Sequence, residues 1–444
     1  MRSKQNEPSQ PLVPGSITLF QANVKTMLKT QRSMWLALIG VQLALALGVC
    51  AAKAKEPYLF GVLIGNPAHL KSDHAAGIRL VLVESHWSRY EPEPGKYDIG
   101  YRDELVRTIE RYRAAGFRVA MTVGVHYTPA WICNNPRLQH LSQLPGVTSG
   151  LANFTFDQSL RDQAEKYIAD VVKHMGPVDY YRVGLNAQGE TLYPEAPHGE
   201  WWAFDRKAQG DDPGRPASIP PPPLLHWVPG TPYQGRTVTV KELQQWYDWY
   251  FNALVDSHDW EIRAHRQAGF QGMIQLPMPG QGVRPSLYRR RIANCLAPTS
   301  QENPDGYHTM NTGAVWFLFL DHLADRRNLV VDISSVGDRS GEPLVNGAGL
   351  GEDRVDYMHD PQIERWSSTR WISFHARRLH LPVIGENPGH NDRELMHKAV
   401  QLMMEYGLTG IMWAFDDELY SGKHATIDDY ASEIRAANVG VKTP

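Results

Sequence analysis

The feature that most constrains this chain is an alternation of eight short apolar runs with longer segments of helical periodicity, beginning near Tyr58. The strand-like runs lie at 58–64, 78–84, 117–125, 180–185, 270–276, 329–334, 382–385 and 408–415. The second of them, IRLVLVE, is apolar through its middle, as a parallel strand buried on both faces must be. Helical segments are expected at 101–115, 157–174, 240–268, 311–325, 361–379, 392–406 and 427–437. In the first of these Leu105, Ile109 and Tyr112 recur at helical spacing and Gly116 supplies the stop. Strands alternating with helices predict a parallel sheet, and eight units predict closure into an α/β barrel of the (β/α)₈ (TIM) type. An open doubly wound sheet would normally show a glycine-rich phosphate turn after its first strand. Here IGNPAH follows instead.

In such a barrel the C-terminal strand ends carry the chemistry, and two of them are followed by a glutamate. Glu190 lies in YYRVGLNAQGETLYP (180–194), a few residues past the fourth run, with Gly189 before it to let the backbone turn. Glu386 lies in LPVIGENPGH (381–390), directly after the seventh. Two carboxylates facing each other across a barrel mouth are what cleavage of a glycosidic bond requires. The expectation is a glycoside hydrolase acting on an oligo- or polysaccharide. Glu190 would be its acid/base, and Glu386 its nucleophile or its base toward water. The ordinary alternatives are a solvated loop glutamate for Glu190 and a helix N-cap for Glu386. Asn391 and Asp392 are better placed for that cap. Asn186, just off the fourth run, is expected to orient a sugar hydroxyl or the acid itself.

Composition narrows the partners. At 444 residues, with 42% hydrophobic residues and 13 Trp, the chain can bury a large core and still present aromatic surface. Residues 1–54 hold six Lys/Arg and one acid, so the remainder carries 39 basic against 47 acidic residues, a net charge of -8. The basic footprint of a nucleic-acid binder is missing. Lys29 and Arg32 precede an apolar run over 34–49 (MWLALIGVQLALALGV) and then the small-residue stretch CAAKA. That pattern reads as a secretory signal peptide, predicting a secreted or periplasmic protein with no stable membrane insertion after cleavage. The alternative is a single anchor, although the run is shorter than the roughly 20 residues that span a bilayer. The remainder, 55–444, is assigned to the barrel. Within it Cys133 and Cys295 can form one disulfide, and the sequence does not say whether they do.

The stretch WSRYEPEPGKYD (87–98) resembles the W-x-x-x-E-P-x-P-G-x-Y-D segment after strand 2 in β-galactosidase-like members of clan A glycoside hydrolases, and YTPAW (127–131) is similar to theirs after strand 3. The resemblance implies an acid/base Glu after strand 4, a nucleophile Glu after strand 7 and an aromatic on strand 8. Glu190, Glu386 and Trp413 occupy those places. One departure stands out: the clan has Asn immediately before the strand-4 Glu, whereas here Gly189 precedes it. The form GLNAQGETLYP is closer to the G-x-G-P-A-G-E-L-x-Y-P segment of β-amylases, which implies an inverting enzyme. Retention is favoured because Glu386 is tethered so closely to its strand, and inversion stays open.

Glu84 and His86 at the end of the second run, His126 at the end of the third, and Trp131 and Trp413 are further candidates for binding substrate. Structural hydrogen bonds and core packing are their alternatives. Asp416, Asp417 and Glu418 form an acidic cluster after the eighth run. The 18 His include no H-E-x-x-H, so neither a metal nor a cofactor is expected. Long loops follow runs four to six. The first, 191–239, contains PGRPASIPPPPLLHWVPGTP and is expected to be an ordered cleft wall whose Trp201, Trp202 and Trp227 line sugar subsites, rather than a tether. A carbohydrate-binding barrel without catalysis is a rival reading. A barrel acting on a phosphorylated metabolite is another, but it would need a phosphate site after strands 7 and 8, where Glu386 and the acids 416–418 would repel the anion.

The leader generates the first prediction. Translation from Met27 gives a signal peptide of ordinary length, and the mature chain is expected to begin near Lys55. N-terminal sequencing of exported protein checks this; a mature chain that keeps residues 34–49 would mean an anchor instead.

Overall fold

A computed structural model describes residues 56–280, 282–297, 309–337, 355–387 and 389–439. The leader expected over 1–54 lies outside the described residues, as does 338–354 of the loop after the sixth strand. Eight parallel strands close into a barrel: β1 (Leu59–Val62), β2 (Leu80–Glu84), β3 (Arg118–Thr122), β4 (Tyr180–Arg182), β5 (Met273–Met278), β6 (Leu329–Ile333), β7 (Val383–Glu386) and β8 (Gly410–Trp413). Each pairs with the next, and β8 returns to β1 through Leu59–Gly410 to Val62–Trp413. The expected TIM barrel is therefore the fold, with each run recovered to within a few residues.

Around the sheet lie α1 (Leu70–Ala76), α2 (Ile99–Ala114), α3 (Gln158–His174), α4 (Val240–Gln267), α5 (Trp316–His322), α6 (Ser368–Arg378), α7 (Arg393–Glu405) and α8 (Ile427–Ala437). Side-chain caps set their starts. Asp98, Asp157 and Asp392 accept hydrogen bonds from first-turn amides, and Thr239–Glu242 and Thr426–Asp429 form capping boxes. The helix expected over 361–379 is divided, because Ser367 caps α6 after a separate 3₁₀ turn, Pro361–Arg365. A two-stranded antiparallel ribbon, Gln139–Leu141 with Thr148–Ala152, sits in the loop after β3 and was not anticipated.

Successive side chains along a barrel strand point alternately into the lumen and out to the helices. Leu80, Leu82, Ala120, Tyr180, Val330 and Met412 belong to the inner cluster that plugs the lumen. Val81, Met121, Tyr181, Val331, Ile411 and Trp413 belong to the outer core beneath the helices. This parity corrects the reading of Trp413. Its ring is 1% exposed and packs against Tyr430 of α8 at 5.8 Å, so it faces away from the mouth. The next inward positions on that strand fall to Met412 and Ala414.

The loop 191–239 is ordered and contains a short helix, Arg206–Gln209. Its tryptophans do not face a cleft, however. Trp201 meets Trp246 and Tyr250 of α4 edge-on at 5.4 and 5.3 Å, and Trp227 meets Trp246 at 5.5 Å. Trp202 is 3% exposed and donates to the Pro194 carbonyl. The aromatic richness of this loop thus builds a satellite core on the long helix. Cys133 and Cys295 do not form a disulfide with each other. Among the described residues no helix is long and apolar enough to cross a membrane.

Because Trp413 is a core residue, Trp413→Ala is expected to lower stability by roughly 3–5 kcal/mol. Urea unfolding measures this. A variant of unchanged stability but altered sugar binding would return Trp413 to the mouth.

Candidate active site

Immediately above the apolar plug the lumen turns polar. Glu84 is the register neighbour of Thr122, Thr122 of Arg182, and Arg182 of Gln275. Asp332 on β6 and Glu386 on β7 continue this inward-facing layer. Ser334 follows one step higher, bringing its hydroxyl toward the loop after β4.

Arg182 is buried and its guanidinium forks onto Glu386, with Nη1 donating to Oε2 at 2.6 Å and Nη2 to Oε1 at 3.1 Å. The same Nη1 stands 3.6 Å from Asp332. Burial alone would depress the Arg182 pKa, but the Glu386 and Asp332 carboxylates outweigh it and the group is held charged. Asp332 is fully buried, and neither carboxyl oxygen has a hydrogen-bond partner among the described residues. Burial first, and the Glu386 charge second, push its pKa well above the usual carboxylate range.

Glu190 reaches the mouth from a tight return of the chain. Leu185 N–H donates to the Glu190 carbonyl, and the Glu190 N–H donates to Asn186 Oδ1 at 2.7 Å. The turn needs two glycines. A Cβ on Gly184 would lie 2.0 Å from the Gly189 carbonyl oxygen, and Gly189 has φ +67°, where an added Cβ would lie 2.7 Å from the His126 ring. The Glu190 carboxyl accepts from Asn186 Nδ2 at 3.2 Å and from Ser334 Oγ at 2.8 Å. Its pKa is nonetheless raised, chiefly by burial and further by Glu386; Ser334, Asn186 and Arg182 act in the opposite sense.

Glu190 and Glu386 line one cavity of ≈ 350 Å³, together with Glu84, His126, Tyr127 and Arg182. Asn387 and Phe415 close its other side. Of the remaining expected residues, Glu84 accepts from Tyr127 Oη at 3.4 Å, and its pKa is raised by burial against the pull of Arg182. Burial and Arg182 push His126 down to about 3, so its imidazole is neutral. His86 stands behind the lining, its ring stacked on Tyr127 at 3.9 Å, and its pKa is lowered by burial. Asn186 is spent on Glu190 and on the Gln188 amide. Trp131 lies apart from the cavity. It packs edge-on against Trp87 at 6.0 Å and donates to the Glu91 carbonyl.

Arg182, Asp332, Ser334, Tyr127, Asn387 and Phe415 were not singled out from sequence. Two of them left a signal: Arg182 and Asp332 are charges inside the otherwise apolar runs YYRV and LVVDI. Phe415, 37% exposed, is the aromatic residue past β8 that lines the cavity, where Trp413 was expected. In chemical terms the cavity offers a hydrogen-bonded carboxyl group on a loop and a second carboxyl group clamped by a guanidinium on a strand. Beside them stand several hydroxyl and amide groups suited to sugar hydroxyls.

Residues 69–138 match the family model described as beta-galactosidase. That span contains both WSRYEPEPGKYD and YTPAW, so the resemblance read from them is borne out. The catalytic domain of β-amylase from Paenibacillus polymyxa superposes with a TM-score of 0.59 at 11% identity, covering 88% of this chain and 100% of that one. That likeness shows the shared barrel. A β-galactosidase from the psychrophilic Marinomonas ef1 aligns with a TM-score of 0.49 at 11% identity, over 86% of this chain and 59% of the other.

The Ser334 hydroxyl favours the charged form of Glu190, so Ser334→Ala should raise the Glu190 pKa further, by about one unit. Carbon-13 titration of the glutamate carboxyls reads this directly. An unchanged or lowered value would mean the hydroxyl does not hold the acid.

Proposed function

We propose that this chain is a glycoside hydrolase cleaving O-glycosidic bonds of an oligo- or polysaccharide, with Glu190 as the acid and Glu386 as the nucleophile. The observation that carries the reading is the unequal treatment of two carboxyl groups lining one cavity. Burial and the nearby negative charge favour the protonated form of Glu190, while a bidentate guanidinium fixes the plane of Glu386. Environments that differ in this way divide acid from base work. Glu190 gives its proton to the departing glycosidic oxygen, so the aglycone leaves as a neutral alcohol. Glu386 attacks the anomeric carbon with a lone pair that the Arg182 fork leaves free, since a carboxylate has about four such sites. Water then cleaves the glycosyl ester, and Glu190 takes a proton from it.

Retention rests on the short tether of Glu386 to β7. The inverting alternative is supported by the β-amylase-like form around Glu190. A carboxyl separation of about 5.5 Å goes with the first and roughly 6.5–9.5 Å with the second; proton NMR of the first-formed anomer decides between them. The leader supports export to the periplasm or medium as the place of action. Glu84, His126 and Tyr127 are the groups nearest to hand for sugar hydroxyls.

The roles predict different dependence on the leaving group. Glu386→Gln should cut turnover by several orders of magnitude on every substrate. Glu190→Gln should do so on natural saccharides but lose far less on dinitrophenyl glycosides, whose aglycone departs without a proton. The comparison is made on a panel of nitrophenyl glycosides and polysaccharides. Near-wild-type turnover of either variant on the best polysaccharide overturns the assignment.

A further inference from the structure

Away from the cavity lining, the loops that follow β7 and β8 bring three metal-ligating side chains together. His390 lies in the first loop, Glu418 in the 3₁₀ turn Asp416–Tyr420, and His424 between that turn and α8. One ligand atom from each lies within 4.8 Å of the other two. His390 Nδ1 is 2.7 Å from Glu418 Oε1, and the His390 backbone N–H donates to Glu418 Oε2, also at 2.7 Å. The two imidazoles meet edge-on, with centroids 5.3 Å apart. The Glu418 side chain is 13% exposed and that of His390 is 74% exposed, so a fixed carboxylate faces a ring free to adjust.

We propose that His390, Glu418 and His424 bind a divalent transition-metal ion, zinc in the first instance, which ties the β7 loop to the β8 loop at the rim of the mouth. This departs from the expectation, drawn from motif spacing, that the chain holds no metal. That reading could not register ligands brought together by two different loops. Two imidazoles and one carboxylate suit zinc, nickel or copper and are a poor set for calcium or magnesium, which take oxygen ligands. Zinc bonds of about 2.0–2.1 Å in tetrahedral geometry put neighbouring donors roughly 3.3 Å apart. The His390–Glu418 contact must therefore open by about half an ångström and His424 must close by up to about 1.5 Å. Rotation of the exposed His390 ring provides the first movement, and a side-chain shift of the half-buried His424 the second. Water takes the fourth position.

None of the three ligands lines the cavity, so the ion's role is mechanical. Glu418 N–H donates to the Phe415 carbonyl, and Gly389 runs close beside Ala414, where an added Cβ would lie 3.1 Å from the carbonyl oxygen. Fixing Glu418 to His390 and His424 therefore fixes the turn that carries Phe415 into the cavity.

The test uses the full chain without a histidine tag and is independent of the hydrolase reading, because it measures metal binding and melting. After equilibrium dialysis against zinc chloride, elemental analysis should find about one zinc per chain, and none beyond background against magnesium chloride. Zinc at a hundredfold excess over its dissociation constant should raise the melting temperature on the order of 3 °C. His424→Ala and Glu418→Gln should each weaken binding at least about tenfold. His397→Ala, which alters an exposed histidine paired with Glu433 on α8, should leave it unchanged. Absence of zinc uptake by the wild-type chain, or equal uptake by His424→Ala, overturns the proposal. Loss of uptake in His397→Ala but not in His424→Ala overturns it too, by placing the ion elsewhere.

Discussion

The site depends on one buried guanidinium. Arg182 sits above an apolar plug, where an unpaired cation would be strongly disfavoured, and its fork onto Glu386 resolves that for both groups. Removing Arg182 would leave Glu386 and Asp332 buried side by side with no cation between them. Lysine would not substitute well, since its ammonium is a point charge and offers no planar pair of donors. Around this cation stand Glu84, Glu190, Asp332 and Glu386. One guanidinium stands among four carboxyl groups, and burial together with the nearby Glu386 favours the protonated form of Glu84, Glu190 and Asp332. Asp332, deepest and without hydrogen bonds, is the most strongly raised, and Glu190 is raised as well. Burial is the chief cause in both, and the neighbouring Glu386 charge adds to it.

Strand parity decides which residues join that crowd. Leu80, Leu82 and Glu84 share the inner face of β2; Tyr180 and Arg182 share that of β4. Glu386 falls on the inner face of β7 beside Met412, and a shift of one residue would send it into the helix layer. Trp413 illustrates the other outcome, since it sits one position beyond Met412 and is carried into the packing beneath α8.

This explains what the sequence disclosed. The eight strands were legible because a buried parallel strand is a nearly continuous apolar run, and the glutamates were legible because they follow two such runs. Arg182 and Asp332 were harder to read. A charge inside a strand is informative only once one knows that the strand closes a lumen and on which face the residue falls. Trp131, Trp201, Trp202 and Trp227 misled for the converse reason. An aromatic side chain carries the same chemistry in a subsite and in a core, and only the partner rings Trp87, Trp246 and Tyr250 tell the two apart. The ribbon at 139–152 escaped because its strands, one of three residues and one of five, are too short to show alternation.

The two carboxyls also differ in how they are held. Glu386 is the last residue of a strand and is fixed by hydrogen bonds on both sides of the barrel wall. Glu190 hangs from a six-residue return closed by Asn186 and by the Leu185 to Glu190 backbone bond, with Gly184 and Gly189 providing the room. A group that must form a bond along one line benefits from a rigid mount. A group that first gives a proton to one oxygen and then takes it from another benefits from a hinge. In this barrel a strand end holds Glu386 and a loop holds Glu190, and the Ser334 hydroxyl beyond β6 ties the loop carboxyl to the barrel wall.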